Sequence, residues 1–217
     1  MDEEKPMELT PATKVEKTLD VAATVLSVVP WLGGPVSQVL SGMSFERKMD
    51  RVGEVLHGLA QDLKDFKSKA SQAYVRSDEF KELLERTLRQ VADERNEEKR
   101  RAYRSFLKGA IETPGEPYDE QRRFLRTLEE MQGSHFLIIR ALLQQPEANI
   151  GVMGSALQTL SRRLPQIRRE EIAELIEQLN AMRITRLTNL NTMMTAHGAA
   201  DLRHAVTPYG ARFIEFL

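Results

Sequence analysis

Two histidines and an aspartate near the C-terminal end are the side chains whose types and spacing best suit metal binding. His197, Asp201 and His204 are separated by three and two intervening residues, and imidazole and carboxylate groups are common zinc ligands. Metal-bound histidines normally have further ligands and supporting hydrogen-bond partners, and the sequence indicates none around these three residues. We therefore predict no metal site and no cofactor.

The sequence also lacks the signatures of common catalytic sites. Gly33-Gly34 has neither the lysine nor the spacing of a phosphate-binding loop. Glu170 and Glu171 are consecutive, so on a helix they point to different faces and do not form a catalytic pair. The absence of cysteine excludes thiol nucleophiles, thiolate zinc sites and disulfides. We expect a protein without catalytic activity and without an evident small-molecule substrate.

Composition indicates a folded chain with nearly balanced charge. Its 217 residues suffice for one or two domains, and 41% of them are hydrophobic. Because 31 basic side chains face 32 acidic ones, bulk charge points to no polyanionic partner. The acidic start, MDEEKPMELT, is unlike an export signal, and every run of 20 apolar residues contains Pro or Gly. The expected location is cytoplasmic, with peripheral attachment to the inner membrane as an alternative.

An uncharged stretch of 25 residues, numbers 21–45, is the most unusual feature of a chain that is 29% charged. Its apolar pattern predicts a helix that ends at Pro30 and a reversal through Gly33 and Gly34. Proline suits the first turn of a helix, so a second short helix is predicted to begin at Pro35. The result is an N-terminal helical hairpin.

Three interpretations of this hairpin stay open. It packs in the core, it forms an apolar surface that a partner protein covers, or residues 21–43 insert into a membrane. Each arm is too short to span a bilayer alone. In the partner and membrane interpretations the contact is made by the turn, at Pro30, Trp31 and Leu32.

Residues 45–111 predict an antiparallel coiled-coil hairpin. Apolar residues repeat at alternating intervals of four and three, as in a coiled-coil seam. Ser77 is a typical N-cap, and a second helix about 50 Å long is predicted from there to Ile111. We interpret its charged middle, ADERNEEKRR, as a solvated part of that helix. The seam comprises Phe45, Met49, Val52, Leu56, Leu59, Leu63, Phe66 and Ala70.

Breaks in the pattern divide the chain into four parts. The strongest break is Thr113-Pro114-Gly115-Glu116-Pro117, which is typical of a linker. The predicted parts are a flexible tail (1–11), a helical and coiled-coil domain (12–112), a linker (113–118) and a C-terminal domain with a leading helix (119–217).

The C-terminal part resembles the winged-helix fold. Its pattern predicts three helices, SHFLIIRALLQQ, IGVMGSALQTLSRRL and REEIAELIEQLNAM. Two short strands, ITRLTNL and LRHAVT, are predicted to flank a flexible wing. A last helix follows the phrase Val206-Thr207-Pro208-Tyr209-Gly210. The resemblance covers about residues 134–217 and implies a two-stranded wing; Met193 and Met194 at its tip are candidate partner contacts. The whole layout also resembles uncharacterised bacterial helical proteins.

Winged-helix proteins that bind DNA insert the third helix into the major groove. Here residues 168–182 hold two arginines and four glutamates, a net charge of −2, and the wing at 188–200 has no Lys or Arg. Phosphate contact needs positive charge, so nucleic acid is disfavoured as a partner. A basic edge remains and comprises Arg162, Arg163, Arg168, Arg169, Arg183 and Arg186, of which all except Arg183 are the candidate nucleic-acid contacts.

The sequence therefore predicts a mainly α protein with an N-terminal helical hairpin, a long antiparallel coiled-coil hairpin and a C-terminal winged-helix-like module with a short two-stranded wing. The preferred function is a non-enzymatic interaction or regulatory protein that binds a protein partner or self-associates. The alternatives are a membrane-active effector that inserts residues 21–43 and a DNA-binding regulator.

Overall fold

A computed structural model describes residues 23, 25, 27–41, 49–145, 153–195, 198 and 201–217, without the side chains of Met153 and Met194. The fold is mainly helical, as predicted. The chain divides into two compact units, of which the first ends at Glu129 and the second is Glu130–Phe216. The predicted tail, Phe45 of the seam, and His197 lie outside the described residues.

The N-terminal unit is built from helices that pack around α2. Helix α2 lies against α4 and α5, which also contact each other, while α1 packs on α4 and α3 on α5. The helices are α1 (Pro30–Ser41), α2 (Met49–Leu63), α3 (Lys69–Tyr74), α4 (Asp78–Asp93), α5 (Glu97–Glu112) and α6 (Tyr118–Glu130).

The uncharged stretch is interrupted at Val29 and not at the glycine pair, which corrects the predicted turn. Proline disfavours helix in the residue before it, and it suits the first position of a new one, so α1 begins at Pro30. The helix then continues through Gly33-Gly34 and Pro35. Burial against α4 compensates for the amide that Pro35 lacks. The buried apolar residues of α1 are Leu32, Val36, Val39 and Leu40.

The predicted seam is the buried face of α2. Val52, Leu56, Leu59 and Leu63 are each 0% exposed. The helix ends at Leu63, however, seven residues before the predicted seam ends. The physical reason is a local cap: the Ser68 hydroxyl accepts a hydrogen bond from the Ser71 amide at 3.2 Å and starts α3 instead.

The predicted helix from Ser77 to Ile111 is two helices. Ser77 is the N-cap of α4, as predicted, and accepts a hydrogen bond from the Phe80 amide at 3.2 Å. The chain then leaves the helix at Glu94, because the Asn96 side chain accepts from the Lys99 amide at 3.0 Å and caps α5. The Glu94 carboxylate accepts from the Asn96 amide at 2.7 Å. The described residues thus form shorter packed helices in place of two long ones.

The Pro-Gly segment predicted as a linker lies inside the N-terminal unit, because α6 is bonded to its neighbours. The Tyr74 hydroxyl donates to Gln121 Oε1 at 2.8 Å, and Gln121 Nε2 donates to the Glu116 carbonyl at 2.9 Å. Arg86 donates two hydrogen bonds to the Glu129 carboxylate, at 2.7 and 2.5 Å. These contacts move the boundary between the units to Glu129.

Alkaline pH should weaken the N-terminal unit through Tyr74. Burial raises the pKa of Tyr74 to about 12 from its ordinary 10.0. Between these values the folded state keeps a proton that the unfolded state has lost, so stability falls as pH rises. One proton sets an upper limit of about 1.4 kcal/mol per pH unit, and the effect is smaller here because Tyr74 is partly exposed. Urea unfolding of wild type and Tyr74→Phe from pH 9 to pH 12 measures this effect. The variant should lose less stability across the range; parallel curves would contradict the assignment.

The C-terminal unit is a smaller group of helices that pack against one another. Helix α9 packs on α7 and α8, which also contact each other, and α7 packs on a short 3₁₀-helix. Its elements are α7 (Gly133–Leu143), β1 (Met153–Gly154), α8 (Ala156–Arg163), α9 (Arg169–Ala181), β2 (Met194–Thr195), the 3₁₀-helix Arg203–Ala205 and α10 (Pro208–Phe216).

Strand pairing in this unit differs from the predicted wing. Strands β1 and β2 are antiparallel, with Met153 opposite Thr195 and Gly154 opposite Met194, although β1 was predicted as part of the second helix. The predicted strand pair is reduced to a single bridge between Thr185 and Val206. Asp201 is the reason, since its carboxylate accepts from the Arg203 amide at 3.2 Å and favours a 3₁₀ turn. The two-stranded wing stays a prediction.

Candidate interaction surface of the C-terminal unit

A buried histidine links the start of α7 to α9. His135 is 0% exposed, and its Nδ1 accepts from the Gln132 amide at 2.8 Å. Its Nε2 lies 2.8 Å from Gln178 Oε1. Since Nδ1 is an acceptor, the ring proton is on Nε2 and is donated to Gln178. His135 thus has a structural role in holding the helices.

The end of α9 is held by one side chain. Asn180 Nδ2 donates to the Leu187 carbonyl at 2.9 Å, and Asn180 Oδ1 accepts from the Leu187 amide at 3.0 Å and from the Thr185 hydroxyl at 2.7 Å. The Ile184 amide bonds the Leu179 carbonyl at 2.9 Å across the helix end. This network fixes the path of the chain after α9.

Arg183 occupies the left-handed position that ends α9, with φ of 62°. Glycine is usual there, because a side chain makes this conformation unfavourable. The sequence placed Arg183 in the basic edge only, since nothing in it indicates the backbone conformation of this residue. Its side chain is exposed. Because Arg183 has a backbone conformation that suits glycine better, we regard it as a candidate functional residue.

Replacing Arg183 should therefore stabilise the C-terminal unit only when the new residue tolerates positive φ. We expect Arg183→Gly to raise the free energy of unfolding by about 1 kcal/mol. Arg183→Ala is the control, because alanine meets the same backbone penalty. Urea denaturation of both variants measures the difference. An equal gain in both would show that removal of charge, and not the backbone, is responsible.

The V-T-P-x-G phrase has a defined structural role at the start of α10. The Thr207 hydroxyl accepts from the Gly210 amide at 2.9 Å and donates to the Arg183 carbonyl. Pro208 is the first residue of the helix. A Cβ atom on Gly210 would lie 2.2 Å from the Ile184 carbonyl oxygen. Helix α10 therefore approaches the backbone of Ile184 this closely only because residue 210 is glycine.

The five arginines of the predicted basic edge that are candidate nucleic-acid contacts differ in their surroundings. Arg163 is a structural residue: its Nη1 donates to the Ala141 carbonyl at 2.6 Å and ties α8 to α7. Arg186 makes one long hydrogen bond, 3.4 Å, to the His204 carbonyl. In the part of the chain that the structure describes, the guanidinium groups of Arg162, Arg168 and Arg169 are exposed and have no ion pair or hydrogen bond.

Asp201, the carboxylate of the metal site considered from the sequence, is already bonded to an arginine. Both Asp201 oxygens accept from the Arg203 guanidinium, at 2.8 and 2.9 Å, and this holds the pKa of Asp201 below its usual range. Among the described residues, no three His, Asp or Glu side chains are placed to hold a metal ion. No family model, curated protein or solved structure matches the chain. The function must therefore be inferred from the exposure and contacts of this chain's own side chains.

The predicted apolar contacts are exposed to different degrees. In the N-terminal unit Pro30 is exposed, Trp31 is partly buried and Leu32 is fully buried, so the described part of the uncharged stretch buries one face and exposes the other. Within the described ranges, no helix has both the length and the apolar character to cross a membrane. Met194 is in β2, and its side chain lies outside what is described.

Met193, a candidate partner contact, is exposed. Its side chain is 56% exposed next to β2, and Leu143, at the end of α7, is 39% exposed. Sequence reasoning missed Leu143 because it follows the apolar run of a buried helix. These two are the exposed large apolar side chains of the described residues, and both belong to the C-terminal unit.

Proposed function

We propose that this chain is a non-enzymatic interaction or regulatory protein whose C-terminal unit, a winged-helix-like module, presents a surface to a protein partner. The observation that carries the proposal is the location of Leu143 and Met193, the exposed large apolar side chains of the described residues, in that unit. Methionine is flexible and polarizable, and it adapts to apolar partner surfaces.

The order of elements supports the winged-helix-like description. Three helices, α7, α8 and α9, pack together, and β1 lies between the first two of them in the chain. After α9 come the single β-bridge between Thr185 and Val206 and the helix α10. Winged-helix folds serve protein assembly as well as DNA binding, so the resemblance alone does not choose between these functions.

The N-terminal unit is best described as the scaffold of the protein. Some of its charged side chains connect its own helices: Arg100 pairs with Glu54 at 3.2 Å, and Arg104 pairs with Asp62 at 3.1 Å. Arg104 also covers Gly58, where a Cβ atom would lie 2.5 Å from its Nη1. Side chains used in this way connect α2 with α5, which is the role expected of a scaffold.

Affinity capture followed by reconstitution tests the proposed function. Wild-type protein, Met193→Asp and the neighbouring control Thr192→Asp are used to capture proteins from the native host, and each captured protein is then purified and titrated. We expect at least one partner to bind wild type and the control saturably and to bind Met193→Asp at least tenfold more weakly. Static light scattering tests a second copy of the chain as that partner. A monomeric chain with no reconstituted partner would contradict the proposal.

A further inference from the structure

Arginine is the sole basic residue type, histidine aside, of the C-terminal unit. The last lysine of the chain is Lys108, whereas residues 130–216 contain nine arginines. A guanidinium differs from an ammonium group in its planar fork of donors, which matches the two oxygens of a carboxylate or a phosphate. The charge of this unit is thus carried by groups suited to bidentate anion recognition.

Three of these arginines flank the turn between α8 and α9 in the chain. Arg162 is in the last turn of α8, Arg168 directly precedes α9, and Arg169 is its first residue. They are exposed and, as described above, make no ion pair or hydrogen bond within the described chain. We call these three residues the turn arginines.

The turn that carries them is firmly held. The Leu164 amide bonds the Leu160 carbonyl at 2.9 Å, and the Ile167 amide bonds the Leu164 carbonyl at 3.0 Å. Leu164 is only 5% exposed. Arg163 fastens the end of α8 to α7 through the Ala141 carbonyl. Because the backbone is already held, the turn loses little backbone entropy when its arginines bind a ligand.

Acidic residues limit the length of ligand that this surface accepts. Glu170 and Glu171 occupy the first turn of α9, and Glu174 and Glu177 are exposed farther along it. A nucleic-acid backbone following α9 would meet these carboxylates and be repelled. A short acidic segment that ends at the turn avoids Glu174 and Glu177, and only Glu170 and Glu171 then oppose its binding.

We propose that the turn arginines bind a short acidic segment of a partner protein, through hydrogen bonds from their guanidinium groups to its carboxylates. This inference rests on the proposed function and specifies the chemistry of the partner. Arg162, Arg168 and Arg169 supply the contacts, and Arg163 acts as a positioning residue.

Fluorescence anisotropy at low salt tests this inference on the full chain. The probe is a labelled peptide of consecutive glutamates, and its glutamine counterpart is the control ligand. Each exposed ion pair contributes little by itself, so the loss of three in Arg162→Gln/Arg168→Gln/Arg169→Gln should weaken binding about tenfold. The matched control is Arg76→Gln/Arg95→Gln/Arg126→Gln, which removes three exposed arginines of the N-terminal unit and should leave affinity unchanged.

Three results would overturn the inference: no saturable binding of the glutamate peptide, equal weakening by the two triple variants, or tighter binding of a short DNA duplex than of the peptide. The same variants are titrated against any partner reconstituted with wild type. A partner that depends on Met193 but not on the turn arginines would overturn this inference and leave the proposed function intact. A monomeric chain with no reconstituted partner would overturn the proposed function itself.

Discussion

Replacing Gly210 by alanine should destabilise the C-terminal unit by about 3 kcal/mol or more. The new Cβ atom would lie 2.2 Å from the Ile184 carbonyl oxygen and 3.0 Å from the Ile184 Cα atom. Backbone atoms cannot rotate away as a side chain would, so α10 must move away from the backbone of Ile184. That shift also disturbs the bond between the Gly210 amide and Thr207. Urea denaturation followed by circular dichroism measures the loss.

Gly34→Ala is the matched control for Gly210→Ala. A Cβ atom at Gly34 meets nothing within 4 Å, and the residue is exposed in α1. Alanine has the higher helix propensity, so this variant should be as stable as wild type or more stable by up to about 1 kcal/mol. Equal stability of the two alanine variants would show that the contact with Ile184 is easily relaxed.

Asn180→Leu should destabilise the same unit by about 3 kcal/mol. Leucine has a similar size but leaves the Leu187 amide, the Leu187 carbonyl and the Thr185 hydroxyl without their partner. Each partly buried polar group that loses its hydrogen bond costs roughly 1 kcal/mol or more. The free energy of unfolding is again measured in urea.

Asn180→Asp separates the hydrogen bonds from the general effect of a substitution at this position. Aspartate keeps an acceptor for the Leu187 amide and the Thr185 hydroxyl, and it loses only the donor to the Leu187 carbonyl. We expect an intermediate loss of stability. Thr185→Val in the Asn180→Leu background should cost less than it does alone, because both residues share one network. Additive effects would contradict the network.

Local capping signals made part of the fold predictable from the sequence. Ser77 was recognised because a serine followed by acidic residues marks a helix start, and this depends on neighbouring residues only. Val52, Leu56, Leu59 and Leu63 were recognised as a buried face for a similar reason, since their spacing follows from helix geometry. The start of α10 after Thr207 is a third example.

Competition between signals explains the helix boundaries that were missed. Residues 94–96 are capable of continuing a helix, and the sequence pattern alone does not show that Asn96 prefers to cap a new one. Likewise Gly33-Gly34 indicated a turn, but burial of α1 against α4 outweighs the low helix propensity of glycine. A local cap decided the first outcome, and tertiary packing decided the second.

Features that depend on distant residues could not be predicted. The boundary between the units follows from contacts such as that of Arg86 with Glu129, which are 43 residues apart. The candidate surface shows the same division. Met193 and the turn arginines were identified from residue type, whereas Arg163 became a structural residue only when its bond to Ala141 was known.

The distribution of lysine has a practical consequence for experiments on this chain. Because the last lysine is Lys108, amine-directed acylation will modify the N-terminal unit and leave the side chains of residues 130–216 unchanged. Lysine-specific proteolysis will likewise release everything after Lys108 as one fragment. Enzymatic acetylation of lysine has no target there, so it cannot alter the charge that the C-terminal unit presents.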